Sequence, residues 1–185
     1  MKKSKNSKEA DRIKELLETD SSRAVADMAV IAVGNDPAAF SVAMEICLNA
    51  SYPVNMRAAR VVSLSAGIHP ELLSPYLKEI TRHILTQKND GVKRGLMKAV
   101  IDSANIEEIP DSGLLIDHCF GLILDSDKPY AWRVYAMDIV HKASVSIPEL
   151  AEELQQTLEL IDNDSPCSVR ARAEIIMKKL GKKKN

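Results

Sequence analysis

A basic residue and a proline recur in phase along this chain of 185 residues, and this double repeat constrains the fold more than any other feature. The basic residues follow one another at spacings of 34, 36, 40 and 37 residues: Arg23, Arg57, Lys93, Arg133 and Arg170. The prolines follow the first four of them by 14, 13, 17 and 15 residues: Pro37, Pro70, Pro110 and Pro148. A repeat period of about 20–50 residues is typical of stacked supersecondary units.

Each repeat contains two apolar stretches with helical periodicity. The basic residue opens the first stretch, such as RAARVVSLSAG, and the proline precedes the second, such as PAAFSVAMEICL. Proline is tolerated at the first helical position because that N–H has no partner inside the helix. Each unit therefore predicts a helix A, a short turn and a helix B. Four residues are expected in the left-handed conformation that ends a helix A: Gly34, Gly67, Asn105 and Gly181.

The pattern predicts about ten helices and an all-α fold. Aromatic residues make up only 4% of the chain, which argues against a β-sandwich or barrel. Pro75 falls inside the second helix B, so that helix is expected to bend after Pro70 or to begin near Ser74. The predicted helices span roughly 8–19, 21–33, 37–49, 54–66, 70–87, 91–104, 110–124, 129–143, 147–161 and 166–180.

Helix pairs with this period, an apolar–basic dyad at the start of helix A and a glycine at its end resemble HEAT or armadillo repeats. The segment SPCSVRARAEIIMKKLG is most similar to a HEAT unit. The resemblance implies an α-α superhelix, a right-handed stack of antiparallel helix pairs. It implies one repeat domain over 8–181, with about 4.5 helix pairs and an N-terminal helix. The lysine-rich ends, 1–7 and 182–185, are expected to be disordered tails.

The resemblance also implies a structural ladder between adjacent repeats. In the family an aspartate and an arginine form this ladder, and here Asp127 and Asp164 lie six residues before Arg133 and Arg170. The corresponding basic residues of the earlier repeats are Arg57 and Lys93, where serine and glutamine replace the aspartate. These basic residues are expected to bind carboxylates or carbonyls between repeats rather than a ligand.

Charge separates by position along the chain. Residues 1–8 and 178–185 hold nine lysines and no acid, which leaves 16 basic and 26 acidic residues between them. The predicted A-helices sum to +5 and the B-helices to −7. In HEAT-like stacks the B-helices line the concave face, so we predict a scaffold that binds a basic protein or peptide there. The predicted partner-binding residues are Glu45, Lys78, Arg82, Asp117, Glu149, Glu152, Glu153, Gln156 and Glu159.

Other functions stay open at this point. The acidic face is also what an ordinary solvated helix shows. HEAT-like DNA glycosylases suggest nucleic-acid binding, which is unlikely because the B-helices offer only Lys78 and Arg82 for phosphates. A small helical enzyme is a further alternative, but the chain lacks the common catalytic motifs. We therefore predict a non-enzymatic protein without metal or cofactor; its oligomeric state is not predicted.

The remaining chemistry-bearing residues are scattered. Cys47 and Cys119 lie in apolar stretches and are expected to be core thiols, while Cys167 lies near a helix start. Trp132 is expected to pack between repeats, with Tyr130 exposed at one edge of the B-helix face. No apolar run reaches about 18 residues, and no leader is recognised, so the predicted location is cytoplasmic, away from membranes.

Overall fold

The computed structural model describes residues 2–182, with side chains for residues 8–181. This part of the chain is helical and contains no strand, which confirms the predicted all-α class. Its ten α-helices are α1 (Lys2–Thr19), α2 (Arg23–Val33), α3 (Pro37–Asn49), α4 (Val54–Ile68), α5 (Leu77–Thr86), α6 (Asp90–Ser103), α7 (Ser112–Leu124), α8 (Tyr130–Ala143), α9 (Glu149–Glu159) and α10 (Cys167–Lys182).

The helices form two compact units, Met1–Ala104 and Asn105–Asn185, called unit 1 and unit 2 below. The single repeat domain that the sequence predicts over 8–181 stays a prediction. The predicted disorder of the two tails also stays a prediction, because the side chains of 1–7 and 182–185 lie outside the described residues.

Unit 1 is built around α4, which packs against α1, α2, α3 and α6. Small side chains dominate the buried residues of α4, among them Ala58, Ala59 and Ala66. Small residues let neighbouring helices approach closely on several sides. The larger side chains of the core come from the surrounding helices, such as Phe40 on α3 and Leu96 on α6.

Helices α4 and α6 approach each other closely at Gly95. A β-carbon added to Gly95 of α6 would lie 2.8 Å from the Ala59 β-carbon and 2.9 Å from the Ala59 carbonyl oxygen. The carbonyl oxygen belongs to the helix backbone and cannot swing aside as a flexible side chain could. Glycine is therefore required at position 95 by the distance between the two helices.

Unit 2 is built around α8, which packs against α7, α9 and α10. The buried side of α8 carries larger residues than that of α4, including Trp132, Met137 and Ile139. Leu154 and Leu158 of α9 are buried, as are Val169 and Ile176 of α10. The core of this unit therefore surrounds one helix, α8.

Two predicted B-helices begin later than their prolines. The segment after Pro70 forms 3₁₀ turns at Pro70–Leu72 and Ser74–Tyr76, and α5 begins only at Leu77. Pro75 lacks the N–H that a continuous helix needs, so the shorter helix has a direct cause. Pro110 does not open α7 either, because Asp111 takes the left-handed conformation (φ 58°) and the helix begins at Ser112.

The predicted helix-ending residues are only partly correct. Gly34 has φ 53° and ends α2, as predicted. Gly67 lies within α4 and Gly181 within α10, whereas Asn105 has a negative φ of −81°. Among the described glycines only Gly34 has a positive φ. Of the four residues predicted to end a helix A, only Gly34 therefore adopts the backbone conformation that favours glycine.

Substituting Gly95 with alanine should destabilise unit 1. The new methyl group collides with the Ala59 backbone, so α6 must move, at a cost of about 1–3 kcal/mol in the free energy of unfolding. The matched control is Gly67→Ala in α4, where an added β-carbon meets no atom within 4 Å. That change should leave stability unchanged or raise it by up to about 1 kcal/mol. Urea denaturation measures both variants, and equal effects would contradict the packing described.

Candidate interaction surface

Arg57 holds the end of α1 against α4. Its guanidinium donates to the carbonyl oxygens of Leu17 at 2.9 Å and Glu18 at 3.1 Å, and its Nε donates to Ser21 Oγ at 3.0 Å. The last carbonyls of a helix have no partner inside that helix. A cation there also interacts favourably with the helix dipole. Arg57 is therefore structural, as its repeat position predicts.

Arg133 makes a similar contact in unit 2. Its Nε donates to the carbonyl oxygen of Ile123, near the end of α7, at 2.9 Å, and only 3% of the residue is exposed. Arg170 donates to the carbonyl oxygen of Ser165 at 3.1 Å. Arg133 thus binds a carbonyl of the preceding helix, one of the two expected kinds of partner, whereas the contact of Arg170 lies within its own repeat and does not join two repeats.

The aspartates predicted as ladder partners are not used in this way. Within the described residues, neither Asp127 nor Asp164 forms an ion pair with its arginine, and both aspartates are exposed. The ion pair that joins adjacent A-helices of unit 2 is instead between Arg172 Nη2 of α10 and Asp138 Oδ2 of α8, at 3.3 Å. The carboxylate that pairs lies within α8, whereas Asp127 and Asp164 lie in exposed loops, where water competes with arginine for a carboxylate.

Helix α9 has one buried side and one charged side. Leu154 and Leu158 are buried, and the predicted stripe is completed by half-buried Leu150 and Ile161. The five polar residues predicted to bind a partner lie on the other side and are all exposed: Glu149, Glu152, Glu153, Gln156 and Glu159. Because successive residues of a helix are separated by about 100°, these positions share one face.

The other predicted partner-binding residues are exposed too. Asp117 lies on α7, which packs beside α9 in unit 2. Glu45 lies on α3, and Lys78 and Arg82 lie on α5, all in unit 1. The structure thus brings the α9 residues and Asp117 together within one unit. A surface that includes all nine residues stays a prediction.

Outside the two lysine-rich ends, the acidic excess of the chain belongs almost entirely to residues 105–177. Residues 105–177 contain 14 acidic and 5 basic residues, a net charge of −9. Residues 9–104 contain 12 acidic and 11 basic residues, a net charge of −1. The split between A-helices (+5) and B-helices (−7) is thus accompanied by a second difference, between residues 9–104 and residues 105–177.

Several basic side chains of unit 2 are used internally. Lys128 pairs with Asp125 at 3.4 Å, and Arg172 pairs with Asp138. Arg133 is buried against a carbonyl of α7. Helix α9 itself carries four glutamates and no basic residue. The exposed basic residues Arg170, Lys178 and Lys179 of unit 2 lie on α10. This concentration of acidic residues favours a negative potential at the exposed side of α9.

A family model described as a HEAT repeat domain matches residues 13–180. The match covers the two units and nearly all of the described helices. The chain belongs to the HEAT repeat family. No curated protein and no solved structure matches it. Membership of this family agrees with the repeat pattern and with the packing of consecutive helices, and makes the protein a helical-repeat scaffold.

Other singled-out residues of this HEAT repeat protein take structural or exposed positions. Trp132 is buried in unit 2, whereas Tyr130 is exposed at the start of α8. Cys47 and Cys119 are buried, as predicted, and Cys167 is exposed. Burial raises the pKa of the Cys47 thiol to about 12, which keeps it protonated and unreactive at neutral pH.

His83 lies on α5. Partial burial lowers the pKa of its imidazole, and the nearby Glu79 carboxylate opposes this shift. No group of three His, Cys, Asp or Glu side chains among the described residues could hold a metal ion. None of the described helices combines the length and apolar character that crossing a membrane requires.

Sequence reasoning missed an apolar part of the surface in unit 2. Leu114 and Leu124 of α7 are 59% and 45% exposed, and Leu160 at the end of α9 is 70% exposed. Helix α7 is apolar at most positions, SGLLIDHCFGLIL, so its sequence shows no polar face. Only the packing of α7 on α8 decides which of its leucines are buried.

The contacts of Arg57 predict a marked loss of stability on substitution. Arg57→Met keeps much of the side-chain volume but leaves the Leu17 and Glu18 carbonyls without these donors, at a cost of about 1–3 kcal/mol. The control is Arg23→Met, because Arg23 is exposed and forms only an i,i+4 pair with Asp27. Its effect should stay within about 0.5 kcal/mol. Thermal denaturation of both variants tests the prediction, and equal losses would refute it.

The aspartates of unit 2 provide a second test. Asp138→Ala breaks the pair with Arg172 in a partly buried setting and should cost about 1–3 kcal/mol. Asp127→Ala changes an exposed residue and should cost less than about 0.5 kcal/mol. Both changes remove one carboxylate from the same unit, so net charge is matched. A larger loss for Asp127→Ala would restore the ladder inferred from the sequence.

Proposed function

We propose that this HEAT repeat protein is a non-enzymatic scaffold that binds a basic protein segment on the exposed face of α9. The observation that carries the proposal is the net charge of −9 over residues 105–177, together with the outward position of the α9 glutamates. The proposed partner is a lysine- or arginine-rich segment of another protein, and the proposed setting is the cytoplasm.

The arrangement of α9 separates binding from folding. Leu154 and Leu158 hold the helix against the rest of unit 2, while the glutamates make no part of that core. Exposed carboxylates attract a basic segment over about 8 Å at physiological ionic strength. Such attraction mainly raises the association rate and favours partners with a positive charge. Phosphate-bearing partners would be repelled by the same surface.

Two of the α9 glutamates also have a structural role. Glu149 and Glu152 lie in the first turn, where a negative charge stabilises the helix N-terminus. Glu153 and Glu159 lie beyond that turn, and Glu159 accepts a hydrogen bond from the Gln155 amide at 3.2 Å. Glu153 and Glu159 are therefore the residues whose charge can be reversed with the least effect on the helix.

The proposed surface predicts a charge-dependent loss of binding. The variant Glu153→Lys/Glu159→Lys should weaken the complex with a lysine-rich peptide by about tenfold or more, because two attractions become repulsions. Fluorescence anisotropy with a labelled peptide measures the dissociation constant. A glutamate-rich peptide of the same length should not bind.

The control variant is Asp11→Lys/Glu15→Lys. These two acids are exposed on α1 in unit 1, and their reversal changes the net charge by the same amount. It should leave most of the affinity intact. Equal weakening by both variants would show that only the total charge matters, and no effect of the α9 variant would refute the proposed surface. Circular dichroism confirms that both variants keep their helices.

A further inference from the structure

The exposed side of α7 is unusual for a helix at the surface. Its buried side is formed by Leu115, Ile116, Cys119, Leu122 and Ile123. A helix with one such side normally carries polar residues on the other. Here the opposite side carries only one charged residue, Asp117, between exposed Leu114 and Leu124. This side of α7 therefore leaves apolar area in water that the core of unit 2 does not require.

The exposed residues of α7 form a straight stripe. Leu114, Asp117, Gly121 and Leu124 are exposed and recur at intervals of three, four and three residues, which places them on one side of the helix. The stripe is about 15 Å long at a rise of about 1.5 Å per residue. A β-carbon added to Gly121 would meet no atom within 4 Å, so a partner side chain has room to contact the helix at this position.

The helix that carries the stripe contacts the helix that carries the acidic face. Helices α7 and α9 contact each other, and each also packs against α8. Their exposed sides therefore both face away from α8. The α7–α9 surface, defined as Leu114, Asp117, Gly121 and Leu124 with the exposed residues of α9, combines an apolar stripe and a border of carboxylates.

We infer that the α7–α9 surface binds an amphipathic helix that has leucine-like residues on one side and lysine or arginine on the other. The inference rests on the proposed function and adds the form of the partner. Apolar residues of the partner cover Leu114 and Leu124, while its cations reach the glutamates of α9. An extended, purely basic segment would satisfy the carboxylates but leave the leucines in water. Three turns, about 10–11 residues, match the length of the stripe.

Unit 1 shows why exposed apolar area alone is not sufficient. Ile31 on α2 and Ile68 on α4 are also exposed. The charged residues of α2, Arg23 and Asp27, pair with each other there. Helix α4 carries Arg57 and Arg60 and no acidic residue. Neither helix thus has an acidic excess to complement a basic partner. Unit 2 combines apolar exposure on α7 with a helix, α9, that carries four glutamates and no basic residue, and the combination specifies the partner.

Three designed peptides of equal length test the inference. The first places leucine at i, i+3, i+4 and i+7 and lysine elsewhere, the second scrambles the same composition, and the third replaces lysine by glutamate. Binding to the full chain is measured by fluorescence anisotropy at about 0.15 M salt. The first peptide should bind about tenfold or more tightly than the second, because only it presents a continuous apolar side. The third should not bind.

The variant Leu114→Ser/Leu124→Ser should abolish the preference for the first peptide over the second. Both leucines are exposed, so the fold should survive, which melting curves verify. The matched control is Ile31→Ser/Ile68→Ser in unit 1, which should keep the preference. A preference that survives Leu114→Ser/Leu124→Ser, or is lost equally in the control, would overturn the inference.

The remaining outcomes separate this inference from the proposed function. If both basic peptides bind equally and only Glu153→Lys/Glu159→Lys weakens them, the amphipathic partner is refuted and the acidic face stands. If Glu153→Lys/Glu159→Lys weakens neither peptide, the proposed function fails and the inference fails with it. Sedimentation velocity tests for self-association: a dimer that Leu114→Ser/Leu124→Ser dissociates would identify a second copy as the occupant and overturn the inference.

Discussion

The carbonyl groups at the end of a helix find no partners within it, and in this protein arginines from later helices provide them. Arg57 of α4 binds the last turn of α1 in unit 1, and Arg133 of α8 binds the last turn of α7 in unit 2. Each contact ties an earlier helix to the central helix of its unit. The recurrence of a basic residue at the start of helix A thus has a physical reason, because the last carbonyl groups of the neighbouring helix need hydrogen-bond donors.

The two central helices, α4 and α8, pack against their neighbours in different ways. In unit 1, α4 buries alanines, and the backbone of α6 packs closely against it at Gly95. In unit 2, α8 uses larger side chains, among them Trp132 and Met137. A close contact between backbones depends on the absence of a β-carbon, whereas larger side chains fill a wider space. The same repeat can therefore tolerate different core residues while its helix order stays constant.

Charge and apolar exposure coincide in one unit. The nine-charge excess of residues 105–177 lies in the unit whose α7 exposes two leucines. Folding alone explains neither feature, because exposed carboxylates contribute little to stability and exposed leucines contribute less than buried ones. Because the two features lie on contacting helices of unit 2, the proposed partner is both positively charged and an amphipathic helix. Family membership makes the protein a scaffold but does not choose that partner.

The repeat pattern predicted the helix order and the structural role of the arginines, because helical periodicity and unsatisfied helix ends are local properties. The glutamates of α9 were also predictable as exposed, since Leu154 and Leu158 alternate with them at helical spacing.

Three features depended on tertiary structure. The Asp138–Arg172 pair joins residues 34 positions apart, and nothing in either neighbourhood marks it. The requirement for Gly95 arises from the distance to Ala59 on another helix. The exposed leucines of α7 lie in a segment without a polar face, so only the packing against α8 decides which side meets water. Local sequence determines which segments are helical, but the choice of neighbours determines which surface remains free.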